Sequence, residues 1–274
     1  MGSTSHLQRL TFLTTETVVR NVFAVPYLIS GVDSNAESLR RNFFVALNSV
    51  QSTPLRWQER PLITFENDKV VDHLLQKKVW VEGDEDIAAF PLAARPRLTT
   101  QTEEALDLLT GLSADVADLI DLTISEFCLM QKAGRGGGSV SSLIGAVWIN
   151  PQPEWSVPQL AEVIFHEWVH HVLFLEDMVQ RIFKASQDEM DANGGLVRSA
   201  ILRTPRSLDK SFHSLAVALA TSWFREAIGQ ESGARQLRSH CGSTIADLHN
   251  KQEMLTEHGR GLLDEMASSW RTAV

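Results

Sequence analysis

Two histidines four positions apart, with a glutamate beside the first, form the most distinctive chemical pattern of this sequence. They are His166, Glu167 and His170, in the string His-Glu-Trp-Val-His. Residues four positions apart on an α-helix share one face, so both imidazoles can bind a single ion. Glu167 lies beside them and can reach a metal-bound water without being a ligand itself. The spacing therefore predicts a divalent-metal site with a general base.

The flanking sequence predicts the helix that must carry this pattern. Ser156 and Gln159 have the spacing of a capping box, so the helix should begin near Val157. Apolar positions then continue past the histidines to about Glu176. Imidazoles without partners would be costly to bury on so apolar a helix, which favours metal binding over a pair of satisfied core histidines. His171 lies about 100° round the helix from its neighbour, and we expect it to pack or to support a ligand.

A third metal ligand must come from another part of the chain. The extended motif HExxHxxGxxH would place its glycine and last histidine where this chain has Leu173 and Glu176, so we expect Glu176 to be a solvated carboxylate. Glu189 has a spacing seen in other zinc sites, but its polar surroundings indicate a surface position. We favour His213, in a mostly apolar predicted helix from Leu208 to about Gly229. The alternative is a core histidine bonded to a backbone carbonyl.

The rest of the sequence indicates further helices and a few strands. Residues 1–100 alternate short apolar runs with charged or Pro-containing stretches, which favours short helices and strands. Helical periodicity over residues 102–131, with Gly111 as a break, predicts two helices. A glycine-rich loop is expected at Gly134–Gly138, followed by a strand at Ala146–Ile149.

Composition and charge limit the classes of protein that fit. The chain has 274 residues, of which 43% are hydrophobic and 22% charged, as in ordinary soluble globular proteins. The net charge of -9, with both signs interspersed, argues against nucleic-acid binding. With neither a signal-like segment nor an apolar stretch of bilayer length, we expect a cytoplasmic protein without membrane contact. We divide the chain into two parts. Residues 1–100 form an N-terminal region that could bind the peptide, and residues 101–274 form a metal-binding catalytic domain. The sequence of this domain is helix-like from residue 232 onward.

Three segments between about Gly136 and Arg225 resemble a known family. The first is the serine-rich stretch and strand Gly138–Ile149, and the second is the motif His166–His170. The third is the Arg–Pro–Arg segment Arg203–Leu208, which is followed by His213. Together they resemble the HExxH-motif peptide-modification proteins that are encoded with ribosomally made, post-translationally modified peptides.

This resemblance implies an oxidoreductase. Members of the family are taken to be iron(II)- and 2-oxoglutarate-dependent dioxygenases that hydroxylate a side-chain β-carbon of a ribosomally synthesised precursor peptide. His166, His170 and His213 would then be the iron ligands, with Glu167 as a catalytic group. Three imidazoles leave an open face on the metal for the keto acid and oxygen, although by ligand type alone they suit zinc and iron comparably.

The resemblance also implies a cosubstrate site and a fold. Arg206, with Arg203 as the second choice, would bind the distal carboxylate of 2-oxoglutarate through a planar bidentate contact. Either arginine could instead pair with Asp209 or Asp188. The implied fold is α+β and mostly helical, with a zincin-like core in which the HExxH helix lies against a small mixed sheet.

Two other functions stay open. A zinc-dependent metallopeptidase would use Glu167 as the general base that deprotonates a metal-bound water. A non-catalytic protein that binds a partner through its helical surface is the other alternative. In either enzyme, the strand that contains Trp148 could be a sheet edge along which an extended peptide lies, with Trp148 as a substrate contact, or it could be an ordinary internal strand.

Overall fold

A computed structural model describes residues 6–31, 33–65, 68–80, 87–132 and 136–273. These residues form an α+β structure that is mostly helical, as the sequence predicts. None of its helices is both long and apolar enough to cross a membrane. The helices are α1 (Thr15–Ser30), α2 (Leu39–Val50), α3 (Asp68–Gln76), α4 (Arg95–Leu112), α5 (Ala114–Thr123), α6 (Val157–Gln180), α7 (Gln187–Asp191), α8 (Leu208–Ala227), α9 (Glu231–Ser239), α10 (Cys241–His249) and α11 (Glu257–Ala273).

A small mixed sheet accompanies the helices, as predicted. Within the described ranges its strand order is β1-β3-β6-β5, with β1, β3 and β6 parallel and β5 antiparallel to β6. Two further short antiparallel pairs, β2 with β4 and β7 with β8, are separate two-stranded sheets. The strands are β1 (Leu62–Thr64), β2 (Ile87–Ala88), β3 (Glu126–Leu129), β4 (Gln131–Lys132), β5 (Gly137–Gly138), β6 (Ala146–Ile149), β7 (Val197–Arg198) and β8 (Pro205–Arg206).

The chain forms two compact units. The unit Val19–His171, here called the sheet unit, contains the four-stranded sheet. The other, here called the helical unit, contains the chain up to Val18 together with Val172–Val274. Helix α6 begins in the sheet unit and its last turns belong to the helical unit. These boundaries differ from the predicted division near residue 100, which followed composition and motif position along the chain.

Strand β6 forms where the sequence predicts it, but it is not a sheet edge. It pairs with β3 on one side and with β5 on the other, and all four of its residues are buried. The Trp148 side chain is 3% exposed and packs edge-on against Trp80, with ring centroids 5.2 Å apart. Of the two alternatives, the ordinary internal strand is therefore confirmed and the sheet edge is wrong, and Trp148 is a core residue in place of a substrate contact. A continuous apolar run is typical of a strand covered on both faces, and its length does not reveal which strands flank it.

Helix α6 begins at Val157 as predicted. The backbone N–H of Ser156 donates to Oε1 of Gln159 over 2.8 Å, and the Ser156 hydroxyl contacts the same oxygen at 3.0 Å. The Trp168 indole donates to the hydroxyl of Thr123 over 3.2 Å, which ties the helix to the end of α5. The helix extends to Gln180, one turn beyond the predicted end, because the sequence offers no stop signal there.

The region 102–131 contains the two predicted helices and also a strand. Helices α4 and α5 are separated at Ser113, whose side chain accepts a hydrogen bond from the Val116 N–H, whereas Gly111 lies inside α4. Glu126–Leu129 is the central strand β3, so the prediction of helix up to Gln131 is wrong at its end. A strand of only four residues is too short to show a periodicity that distinguishes it from helix.

Candidate metal centre

Helix α6 holds His166 and His170 on one face, as their spacing predicts. Their ring centroids are 5.1 Å apart with an interplanar angle of 59°, and both residues are half-buried. Desolvation by burial lowers the pKa of His166 to about 4, so its imidazole is neutral at physiological pH. Because only a neutral imidazole can bind a metal ion, the ring is ready to act as a ligand.

Glu167 lies beside this pair and is almost fully enclosed. Its side chain is 7% exposed, and its Oε1 lies 3.8 Å from Nε2 of His166. The Ser139 hydroxyl donates a hydrogen bond to its Oε2 over 2.7 Å. Burial raises the pKa of Glu167 to about 7, and the Ser139 hydrogen bond opposes that rise. A carboxyl group that titrates near neutral pH can both accept and return a proton.

The two glycines of β5, just before Ser139, allow close approach of the backbone: Gly137 to helix α6, and Gly138 to Trp148 of β6. A Cβ on Gly138 would lie 2.6 Å from Nε1 of Trp148, so a side chain there requires a shift. A Cβ on Gly137 would lie 3.1 Å from Val163 and 3.8 Å from Oε1 of Glu167. The sequence predicts a loop over Gly134–Gly138; residues 133–135 lie outside the described ranges, and Gly137–Gly138 is a strand.

His171 lies on the face of helix α6 that is turned away from solvent. The residue is 0% exposed, and its Nδ1 donates to the carbonyl of Glu167 over 3.0 Å. Burial lowers its pKa to about 4, while backbone carbonyls of Glu167 and Ala146 oppose that shift. Since Ala146 begins β6, the buried neutral ring lies close to both the motif helix and the sheet, in agreement with the expected packing role.

In the helical unit, His213 lies on α8 among aromatic rings. It is 6% exposed, and its ring centroid is 4.9 Å from that of Phe174 and 6.4 Å from that of Phe183. Burial lowers its pKa to about 4, and the nearby Asp209 carboxylate opposes that shift. The ring is therefore neutral and chemically suited to bind a metal. In the part of the chain that the structure describes, no three His, Cys, Asp or Glu side chains are grouped closely enough to hold an ion, and the third ligand stays a prediction.

The other two carboxylates considered as ligands have structural roles. Glu176 is 1% exposed, and its Oε1 lies 2.7 Å from Nε2 of His258, in the first turn of α11. The expectation of a solvated carboxylate is wrong, because the C-terminal helix supplies a partner that local sequence does not reveal. Glu189 is exposed and forms the capping box of α7 with Ser186, which agrees with its predicted surface position.

The two candidate arginines belong to the hairpin formed by β7 and β8. Arg206 is half-buried in β8, opposite Val197, whereas Arg203 is exposed at the turn with a positive φ of 60°. Hydroxyl contacts such as Ser199 Oγ to Ser214 Oγ, 2.8 Å, fasten the hairpin to α8. Within the described residues, neither guanidinium forms an ion pair with the aspartates at 188 and 209. Binding of 2-oxoglutarate by either arginine stays a prediction.

Comparisons with protein-family models and with curated proteins find no match to this chain. The resemblance described above therefore depends on the quoted residues alone. The site itself is defined by its geometry: a pair of imidazoles on one helix face, and a buried carboxylate held beside them by Ser139. Sequence reasoning gave Ser139 no role, because nothing in a separation of 28 residues indicates that it contacts Glu167.

Proposed function

We propose that this chain is a divalent-metal enzyme that acts on a peptide, and that its reaction is iron(II)- and 2-oxoglutarate-dependent hydroxylation of a side-chain β-carbon. The observation that carries the proposal is the His166 and His170 pair, 5.1 Å between ring centroids, with the enclosed Glu167 beside it. The family resemblance supplies the choice of metal, cosubstrate and substrate. In such a reaction the peptide gains a hydroxyl, while 2-oxoglutarate and oxygen yield succinate and carbon dioxide.

The residues present fit a divalent metal. His166 and His170 offer imidazole nitrogens from one helix face, and two nitrogens leave most of a coordination sphere for other ligands. When bound, iron(II) would supply the one-electron and oxygen chemistry that side chains lack. The roles of His213 as third ligand and of Arg206, with Arg203 as second choice, stay predictions from the sequence.

The residues of the sheet unit can also orient a peptide and carry a proton. Among the described strands, β5 is one of the two outer strands of the sheet and pairs with β6 alone. An extended peptide that adds to β5 through main-chain hydrogen bonds would lie beside Gly137, where even an added Cβ would lie only 3.8 Å from Oε1 of Glu167. Glu167 would then receive or return a proton at Oε1, since Ser139 occupies Oε2.

A zinc-dependent metallopeptidase is the second candidate, and the environment of Glu167 favours it. A general base works best when its pKa is near the operating pH, and burial raises that of Glu167 to about 7. Deprotonation of a metal-bound water by this carboxylate would generate the nucleophile that attacks a peptide carbonyl. The same side chains would serve, with zinc in place of iron and without 2-oxoglutarate.

One set of assays separates these functions. The protein is purified without oxygen, its metals are measured by elemental analysis, and it is incubated with peptide under two conditions. Succinate formation and a peptide mass gain of one oxygen, with iron(II) and 2-oxoglutarate, support the hydroxylase. Cleaved peptide with zinc alone supports the peptidase and refutes the hydroxylase. A protein that binds neither metal in stoichiometric amount refutes both and favours a non-catalytic role.

A further inference from the structure

The two oxygens of the Glu167 carboxylate have different surroundings. Oε2 accepts the hydrogen bond from Ser139 over 2.7 Å, while Oε1 lies 3.8 Å from Nε2 of His166, too far for a hydrogen bond. Within the described part of the chain, the carboxylate is thus restrained through Oε2 by the Ser139 hydroxyl. Its position depends on a residue outside the motif.

Close packing fixes the place from which Ser139 donates. Gly138, the residue before it, lies so near Trp148 that even a Cβ would approach the indole to 2.6 Å, and Trp148 is a buried core residue of β6. Strand β5 is paired with β6 through Gly137 opposite Ile149 and Gly138 opposite Trp148. The backbone just before Ser139 is therefore fixed by strand pairing with β6 and by the contact with Trp148. If the Glu167 carboxylate moved, the Ser139 hydroxyl could not readily move with it.

A buried carboxylate that loses its donor must find another partner, because an unsatisfied charged group in such surroundings is costly. The nearest group of opposite charge, once a metal is bound to His166, is that metal. Carboxylate oxygens are good ligands for zinc, iron and cobalt. Without the restraint, the same side chain that should carry protons would be drawn into the coordination sphere.

We infer that Ser139 is a positioning residue that holds Glu167 off the metal, so that the carboxylate acts as a proton acceptor and not as a ligand. The inference rests on the proposed function, because it requires a metal on His166 and His170. It assigns a role to the segment just after β5 in either of the two candidate reactions. Loss of the hydroxyl should fill one open coordination position with Glu167.

Cobalt(II) provides a test that does not depend on the unknown peptide. Its visible absorption bands respond to the number and geometry of its ligands. The full-length protein and the variants Ser139→Ala, Ser139→Thr and Ser141→Ala are each titrated with cobalt(II), and bound metal is measured separately. Ser141 is an exposed serine of the same segment and serves as the matched control. We expect shifted bands for Ser139→Ala, and wild-type bands for Ser141→Ala and for Ser139→Thr, which keeps a hydroxyl.

Glu167→Gln identifies the group that moves. If the shift arises from Glu167, then Ser139→Ala should cause no further change in a Glu167→Gln background. Turnover of 2-oxoglutarate by the iron(II) protein, or of peptide by the zinc protein, should fall by about 10- to 100-fold in Ser139→Ala, the usual cost of removing a residue that orients the groups around a metal.

The failures of the inference and of the proposed function are distinct. A wild-type protein that binds no cobalt refutes the proposed function, and the inference with it. A wild-type protein that binds cobalt, together with a Ser139→Ala variant that binds it with unchanged bands, refutes the inference alone. A shift that persists when Glu167 is already glutamine also overturns it, because another group must then be responsible.

Discussion

The buried imidazole of His171 should make the protein sensitive to acid. Burial lowers the pKa of His171 to about 4, whereas an imidazole in the unfolded chain has a pKa of about 6.5. Its neutral form therefore contributes stability that is fully present above pH 6.5 and is lost as the pH falls from 6.5 toward 4. The unfolded state binds the proton first, so acid shifts the equilibrium toward unfolding.

The size of the effect follows from the two pKa values. At pH 5 the unfolded chain is almost fully protonated at this position and the folded chain is not, which gives a loss of about 2 kcal/mol relative to pH 7.5. The expected total stability of a domain is only about 5–15 kcal/mol, so this single group is a measurable part of it. Replacement of His171 by leucine removes the titrating group and fills the same space with an apolar side chain of similar volume.

Urea unfolding at pH 7.5 and pH 5 tests this reasoning. His171→Leu loses the hydrogen bond to the Glu167 carbonyl, so it should be less stable than wild type at pH 7.5 by about 1 kcal/mol. Between pH 7.5 and pH 5 it should lose about 2 kcal/mol less than wild type does. His240→Gln, at a half-buried position in another part of the fold, is the control and should keep the wild-type pH dependence. Equal losses for His171→Leu and wild type would refute the argument.

Three further predictions concern the motif, the strand beside it and the contact between Glu176 and His258 in the helical unit. His170→Ala should lower bound divalent metal from about one equivalent to a small fraction, because one imidazole does not retain an ion, and elemental analysis measures this. Gly138→Ala should destabilise the protein by about 1–3 kcal/mol in urea unfolding, since its Cβ would lie 2.6 Å from the Trp148 indole. Glu176→Ala should cost about 1–2 kcal/mol, because it removes the partner of His258, whose side chain is 33% exposed and therefore partly screened.

Each of these predictions has a matched comparison. Full metal content in His170→Ala would show that the ion binds elsewhere. Gly194→Ala, where a Cβ would meet nothing within 4 Å, should be nearly neutral, and a loss equal to that of Gly138→Ala would contradict the packing argument. Glu257→Ala removes an exposed carboxylate next to His258 in sequence, and it should leave the stability close to wild type.

Local patterns predicted the parts of the fold that depend on neighbours along the chain. The start of α6 at Val157 follows from Ser156 and Gln159, and the shared face of the two histidines follows from the helical repeat. Helix α8 likewise begins at Leu208, directly after Ser207, although the Ser207 side chain makes no capping bond. The mostly helical class with a small mixed sheet follows from the same short-range signals.

The sequence by itself determined which side chains could do chemistry, because motif spacing and helix geometry are properties of a few adjacent turns. Tertiary structure alone decided that Ser139 restrains Glu167, that β6 is internal, and that His258 covers Glu176. These contacts join residues far apart in the chain. No periodicity or capping signal encodes such pairings, since they arise only when strands and helices pack and their buried polar groups must find partners.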